Sequence, residues 1–393
     1  MFKDLSINMG KKFIKIPMIL CIIISVVFIL CNANNSVSNT VKFNNTVIEI
    51  DPKINETALF LAGKEIPSQS DLHKYSKTKE YNTYSKQIDA NWDKLQRLNE
   101  KKISIWRQKN LPKDYTKSIF YPFSGPDILN AVIFFPDGDE YIMFGLESPG
   151  EIPGPHKISN DKLHFGLNKL WEALDTILNV NFFKTIEMVN EISTNAFDSV
   201  ISVCMFFLAR TNYDVLDVKK IWIDENGDAV SVKPQNKSKI IIPGCEILFR
   251  KGNGTSVKRL AYFQIDVSNP SLNVRKNYID FITKKGRFTT IIKSASYLMH
   301  REVEFKRIRD VILSQSDYLL QDDSGIPLKY FSPKEWKLSY YGSYTKPIEL
   351  FSNRYQKDLF EAMKKNSTGQ LDFSYGYNFK EHNPNLLFAE RTK

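Results

Sequence analysis

Residues 118–147 read SIFYPFSGPDILNAVIFFPDGDEYIMFGLE. An apolar run, SIFYPF, stops at Ser-Gly-Pro-Asp. A short apolar segment of helical character, PDILNAVIFF, follows, and a second run, EYIMFGLE, ends in an acid. Pro126 suits the first position of a helix, where its missing N–H is not needed. Gly125 then serves as the cap and permits a tight turn. Asp127 falls in the first turn, facing the positive end of the helix dipole. Pro136, followed by Asp-Gly, closes the unit. The stretch therefore fits one β–α–β crossover, whose strands run the same way. In open sheets of this kind ligands gather beyond the carboxyl ends of the strands. That places Ser124, Gly125, Asp127 and Glu147 on one edge as candidate ligand-binding residues. The plainer alternative is that Ser-Gly-Pro-Asp only starts a helix.

The same alternation continues downstream. A strand is expected at the start of RFTTIIKSASYLM, a helix over VEFKRIRDVILSQ, a strand at DYLLQ, a strand at WKLSYYG, a helix over RYQKDLFEAMKK and a last strand at LDFSYGYNF. Helices are expected around 161–179, 181–194 and 272–285, and residues 195–210 fit either a helix or a buried strand. Asn226-Gly227 and Asn253-Gly254 sit between alternating runs, the pattern of two-residue hairpin turns. The fold expected is α/β and Rossmann-like, with a mostly parallel sheet over 118–393 and an antiparallel β-hairpin insertion at 219–268.

Residues 34–117 differ, being polar and poor in long apolar runs. A short helix is expected over 56–64, and a longer one over 79–109 carries Trp92, Leu95, Leu98 and Trp106 at helical spacing. This segment reads as a helical N-terminal arm packed on the main domain, or in its first half as a linker. Residues 1–33 read as a signal peptide or a membrane anchor. Lys11, Lys12 and Lys15 precede the apolar run 16–31, and Ala33 offers a small residue at a cleavage site. The rest of the chain is then expected outside the cytoplasm: periplasmic, secreted or anchored through residues 16–31.

Two cysteines follow the leader, Cys204 and Cys245. They allow one disulfide or two buried thiols, and are too few for a cysteine-based zinc site. The five histidines show no metal-binding spacing, so no metal site is expected, and no complete cofactor motif is present. Net charge is +10, but bases and acids are interleaved and no RNA-binding signature appears. The expected partner is a small molecule or a protein rather than nucleic acid.

Further candidates are Asp322 and Asp323, paired acids after an apolar strand, which suit a cation or acid–base work. Their plainer reading is a solvated turn. Lys293 opens KSASYLMH at the end of another strand. Tyr340, Tyr341, Tyr344, Tyr375 and Tyr377 suit sugars or proteins if exposed. Two resemblances add to this. The 118–147 unit resembles the first unit of class I methyltransferases and other Rossmann-like proteins, in which an acid after the second strand holds ribose hydroxyls. It departs from them in having one glycine in the turn and no acid ending the first strand. The segments YPFSGPD, FGLE, LQDDSGIPL and YYGSYTKPIELF also resemble a group of uncharacterised exported bacterial proteins. That likeness implies one domain over 118–393 and no activity. Three readings are open: a ligand-binding or interaction protein, an enzyme using the edge carboxylates on a small extracytoplasmic substrate, and a degenerate methyltransferase-like fold.

Overall fold

The structure is a computed structural model. It describes residues 5–9, 12–16, 40–43, 46–180, 197, 199–235, 240–252, 254–378 and 383–392. The expected leader run beyond residue 16 and the helix expected over 181–194 lie outside these. Two compact units are present, residues 1–50 and 51–393. The first contains two antiparallel hairpins. In one, β1 (Leu5–Met9) pairs with β2 (Lys12–Ile16); in the other, β3 (Thr40–Phe43) pairs with β4 (Thr46–Glu49). Among the described residues no helix is long and apolar enough to cross a membrane.

The second unit is built on a ten-stranded sheet. Its strands in chain order are β5 (Ser118–Tyr121), β6 (Glu140–Gly145), β7 (Tyr213–Ile223), β8 (Ala229–Val230), β9 (Ile242–Lys251), β10 (Val257–Gln264), β11 (Phe288–Ile292), β12 (Ser316–Gln321), β13 (Trp336–Gly342) and β14 (Asn385–Arg391). In space they run β13-β14-β12-β11-β5-β6-β10-β9-β7-β8. The five strands β12, β11, β5, β6 and β10 are parallel to one another. Every other pairing is antiparallel.

Both faces of the sheet are covered, and the strand residues divide between them by simple alternation. Ile119, Tyr121, Tyr141, Met143, Leu260 and Tyr262 join one apolar cluster. Phe120, Ile142, Phe144, Ala261 and Phe263 join the other. Strands buried on both sides read as unbroken apolar runs, which is why SIFY and YIMF carry no polar alternation.

The first face carries α1 (Pro52–Leu61), α3 (Lys79–Leu95), α4 (Lys101–Asn110), α5 (Ile128–Phe134), α6 (Asn160–Val180) and α7 (Val200–Arg210); the short α2 (His73–Ser76) precedes α3. In α3 the buried residues are Tyr81, Tyr84, Ile88, Trp92 and Leu95, one stripe at spacings of three and four. Thr78 caps its start by accepting the Tyr81 N–H at 3.3 Å. Residues 51–117 are therefore part of the core. The 195–210 ambiguity resolves to a helix because Ser199 caps it and its eleven residues are buried all round. The second face carries α8 (Asn269–Val274), α9 (Lys276–Lys284), α10 (Lys306–Gln315) and α11 (Lys357–Asn366).

Three expectations need correction. Gly125 does not cap α5; Asp127 does, accepting the Asn130 N–H at 3.1 Å. Gly125 instead turns the chain at φ +51°, a conformation open to glycine at no steric cost. Over its described residues, 371–378, LDFSYGYNF is not a strand. Gly376 breaks it at φ +70°, where a side chain would lie 2.1 Å from Asp322 Oδ2, and the last strand is β14. Finally, the insertion expected to be antiparallel at 219–268 extends the main sheet, and its β10 pairs in parallel with β6 over six residues. Cys204 and Cys245 are both buried free thiols, and burial raises both above the ordinary thiol range.

Candidate functional site

The chain passes from β5 through α5 to β6 over the first face. It passes from β11 through α10 to β12 over the second face and in the opposite direction along the sheet. β5 and β11 are therefore the adjacent strands from which the sheet is laid outward both ways. Their carboxyl ends diverge into a crevice, the place where open α/β sheets hold ligands.

A cavity of about 1030 Å³ occupies that crevice. The loop after β5 contributes Phe123, Ser124, Gly125 and Asp127; the end of β6 contributes Gly145 and Glu147; the segment after β10 contributes Asp266 and Ser268; the loop after β11 contributes Lys293 to Ser296. Of the seven candidate residues, five line this one cavity: Ser124, Gly125, Asp127, Glu147 and Lys293.

Asp127 is buried and heavily engaged. It accepts the Tyr121 hydroxyl at 2.8 Å and the Asn130 side-chain amide at 2.9 and 3.0 Å, and Lys293 Nζ lies 3.4 Å from its Oδ2. The Lys293–Asp127 pair is almost wholly out of solvent. Ser124 is spoken for by the main chain: its N–H bonds the Phe144 carbonyl at 3.0 Å and its hydroxyl bonds the Gly125 carbonyl at 3.0 Å. Glu147 is buried, and the Tyr262 hydroxyl donates to its carbonyl at 2.9 Å and its Oε2 at 3.2 Å. Burial, with the nearby Glu147 charge, pushes the Tyr262 phenol well above its usual range, so it remains a donor. The turn and the acid meet closely: a methyl group built on Gly125 would sit 3.5 Å from Glu147 Oε1.

Asp322 and Asp323 are buried but do not line the cavity. They border a void of about 10 Å³ behind it, the size of a single water at most. Their work is to hold the β11 loop. Asp322 Oδ2 accepts the Ser294 N–H at 3.1 Å, Ser324 Oγ accepts the Ala295 N–H at 2.8 Å, and the Tyr297 hydroxyl donates to Asp323. Asp323 is also bound by the side-chain amides of Asn378 and Asn385, each at 2.9 Å. The four acids are thus two pairs with different surroundings, not one catalytic rim.

The loops at the crevice are conformationally unusual. Of the five non-glycine residues with positive φ among the described residues, four lie here: Phe123, Ser294, Ser296 and Tyr297. Such conformations persist only where surrounding bonds impose them, and they cluster at ligand sites. Charge is uneven too. Asp127, Glu147, Asp266 and Glu304 face Lys293 and Arg301, so the cavity is net acidic within a basic chain. Arg301 pairs with Glu304 at 2.6 Å. Among the described residues no group of three or more His, Cys, Asp or Glu is arranged to hold a metal.

Sequence reasoning missed Asp266, Phe305 and Phe351, which also line the cavity. Asp266 carried a readable signal, since it follows the strand LAYFQ as Glu147 follows YIMFG. Treating β10 as part of an insertion hid it. Comparison of the chain with protein-family models, with curated proteins and with solved structures finds no match.

Proposed function

We propose that this chain is a small-molecule-binding protein of Rossmann-like type whose cavity takes a neutral or cationic nucleoside-like ligand. Numbered along the chain, the parallel strands β5, β6, β10, β11 and β12 stand in the order 3-2-1-4-5, the doubly wound order with its ligand crevice between the first and fourth. The antiparallel β14 inserted between β12 and β13 adds to the resemblance to class I methyltransferase sheets. The observation that carries the reading is the placing of the Glu147 carboxylate beside the Gly125 turn at the mouth of adjacent parallel strands. A carboxylate there accepts a hydroxyl, as on a ribose, while Phe123, Phe144 and Ile265 give a flat base apolar walls. A phosphate is disfavoured, because Asp127, Glu147 and Asp266 would face it. The same reading keeps the folded chain outside the cytoplasm, on the basic-then-apolar order of residues 11–31. Binding rather than catalysis is the role, since the acids Asp322 and Asp323 stand apart from the cavity.

Calorimetry on the full chain tests it, with adenosine, S-adenosylmethionine and adenosine monophosphate as ligands. Adenosine or S-adenosylmethionine is expected to bind more tightly than the monophosphate. Glu147→Gln is expected to weaken that binding about tenfold or more, the usual loss when a hydrogen bond to a charged group goes. No heat from either unphosphorylated ligand at millimolar concentration would refute the proposal.

A further inference from the structure

β13 and β14 are adjacent and antiparallel, an arrangement that a two-residue turn can serve. The chain instead uses residues 343–384 to join them. Part of that connection, residues 345–355, lies against the cavity, where Ile348, Leu350 and Phe351 form part of the lining. A long connection that the topology does not need, placed at a ligand site, is a common setting for a lid.

The way this strap is held differs from the rest of the cavity wall. Among the described residues, no hydrogen bond joins 345–355 to the body of the protein; the Phe351 N–H, for one, bonds the Ile348 carbonyl at 2.9 Å, inside the strap. Contact with the β11 loop and its neighbour is made by rings: Phe351 lies 4.8 Å from Tyr297 and 5.8 Å from Tyr377 between centroids. The ends, by contrast, are pinned side by side. The Gln356 N–H bonds the Tyr344 hydroxyl at 3.1 Å, and Tyr355 stacks on Tyr344 at 6.1 Å. The Gln356 side chain ties that point to the body, accepting the Leu328 N–H at 3.2 Å and donating to the Asp323 carbonyl at 3.1 Å. Within the span, Phe351 interrupts the 3-10 helix Glu349–Arg354 at φ −122° and ψ 28°. Exposure adds an independent observation. Leu350 lines the cavity yet is 80% exposed, and Leu146, at the end of β6 on the same cavity, is 57% exposed. Leaving both in water costs free energy that contact between them would recover.

We propose that residues 345–355 are a lid, which swings about the Tyr344–Gln356 junction, carries Leu350 out of solvent toward Leu146 and closes the cavity over its ligand. The inference deepens the proposed function by giving that site a moving part, and it rests on the reading of the cavity as a ligand site. No hydrogen bond to the body has to break for the strap to move; only apolar contacts, which are not directional, are exchanged. The bonds of Gln356 to residues 323 and 328 lie outside the moving span and keep the hinge in place. A lid that closes after the ligand has entered acts mainly on release.

The test uses the full chain, with and without saturating adenosine. Leu146→Cys combined with Leu350→Cys is expected to form a disulfide under mild oxidation, read as the linked peptide pair, because closure brings the two positions within bonding reach. Leu146→Cys combined with Val232→Cys, on the exposed loop after β8, is the control and is expected to link at least about tenfold more slowly. Adenosine is expected to speed the 146–350 link and to slow hydrogen exchange of the 345–355 amides about tenfold or more. Leu350→Ser, at an exposed position, is expected to raise the adenosine dissociation rate about tenfold and to leave the association rate within about twofold. A 146–350 link no faster than the control overturns the lid, whatever adenosine does. So does adenosine that binds without protecting the strap, or that leaves Leu350→Ser at the wild-type rate. Failure of adenosine to bind while the 146–350 link still outpaces the control overturns the nucleoside reading and upholds the lid.

Discussion

Ser294 donates its backbone N–H to Asp322 Oδ2 at 3.1 Å, so the cavity loop after β11 leans on the turn after β12. Asp322 is raised to about 7, first by burial and next by the neighbouring Asp323 charge. Lys293 and the hydrogen bonds from Ser324 and Ser294 pull the other way without winning. An unfolded aspartate titrates near 3.9. Between these values the folded protein holds a proton that the unfolded chain has released, so stability falls as pH rises. This contribution is complete below about pH 4 and lost as pH passes through about 7. Asp322→Asn removes it. Denaturation midpoints of wild type and variant at pH 4, 5.5 and 7.5 should show wild type losing ground steadily against the variant. A difference that is flat, or that grows in favour of wild type with pH, contradicts the assignment.

Gly145 ends β6 with no room beside it. A methyl group there would lie 2.3 Å from Glu147 Oε2, 2.8 Å from the Tyr262 hydroxyl and 3.1 Å from the Gly125 Cα. Gly145→Ala must therefore displace the Glu147 carboxylate or part the β5 and β6 tips. Overpacking of this kind costs about 1–3 kcal/mol. Urea denaturation should show that loss. Calorimetry should show weaker binding of adenosine than the stability loss alone accounts for, because the displaced group is the proposed ribose acceptor. Undiminished binding in a destabilised variant would separate Glu147 from the ligand.

The parallel centre of the sheet was legible because burial on both faces writes it into the sequence. SIFY, EYIMFG, FTTII and SDYLLQ are apolar over much of their length and are separated by helical segments, which forces crossovers. The acids at strand ends were legible for the same reason. What was not legible depended on partners distant in sequence. Nothing local in Asp322-Asp323 separates a solvated turn from a buried clamp; their partners Ser294, Tyr297, Asn378 and Asn385 come from other segments. The alternation in LDFSYG suits a strand, yet Leu371, Phe373 and Tyr375 are buried on the first face without pairing in the sheet. NLLFAER, buried on both faces through Leu386 and Leu387, was the better strand.

Trp92 measures how far residues 51–117 belong to the core. It lies in α3 at 4% exposure and packs against Phe206 and Phe207 of α7, ring centroids 6.4 Å away in each case. Truncating a buried tryptophan removes its transfer free energy and leaves a cavity. Trp92→Ala should cost about 3–5 kcal/mol in urea denaturation, in a single transition shared by the whole 51–393 unit. A loss below about 1 kcal/mol, or a separate early transition, would mean that these helices are an appendage after all.

Lys293 and Asp127 join the two loops of the crevice, 3.4 Å apart, with side chains 1% and 5% exposed. Removing one member of a buried pair takes its counter-charge away from the other, at about 3–5 kcal/mol. Asp127 retains the Tyr121 hydroxyl and the Asn130 amides, which are neutral donors and do not balance a full negative charge. Lys293→Met keeps the length and apolar stem of lysine and removes only the ammonium group. Asp127→Asn keeps a carbonyl oxygen for capping α5 and removes the charge. Each single variant should be strongly destabilised, whereas the double variant buries no net charge and should recover at least about 1 kcal/mol relative to the sum of the two. Guanidinium denaturation of the four proteins closes the cycle. Additive losses would show that the two charges do not depend on one another, and that Lys293 is held in the cavity wall by other contacts.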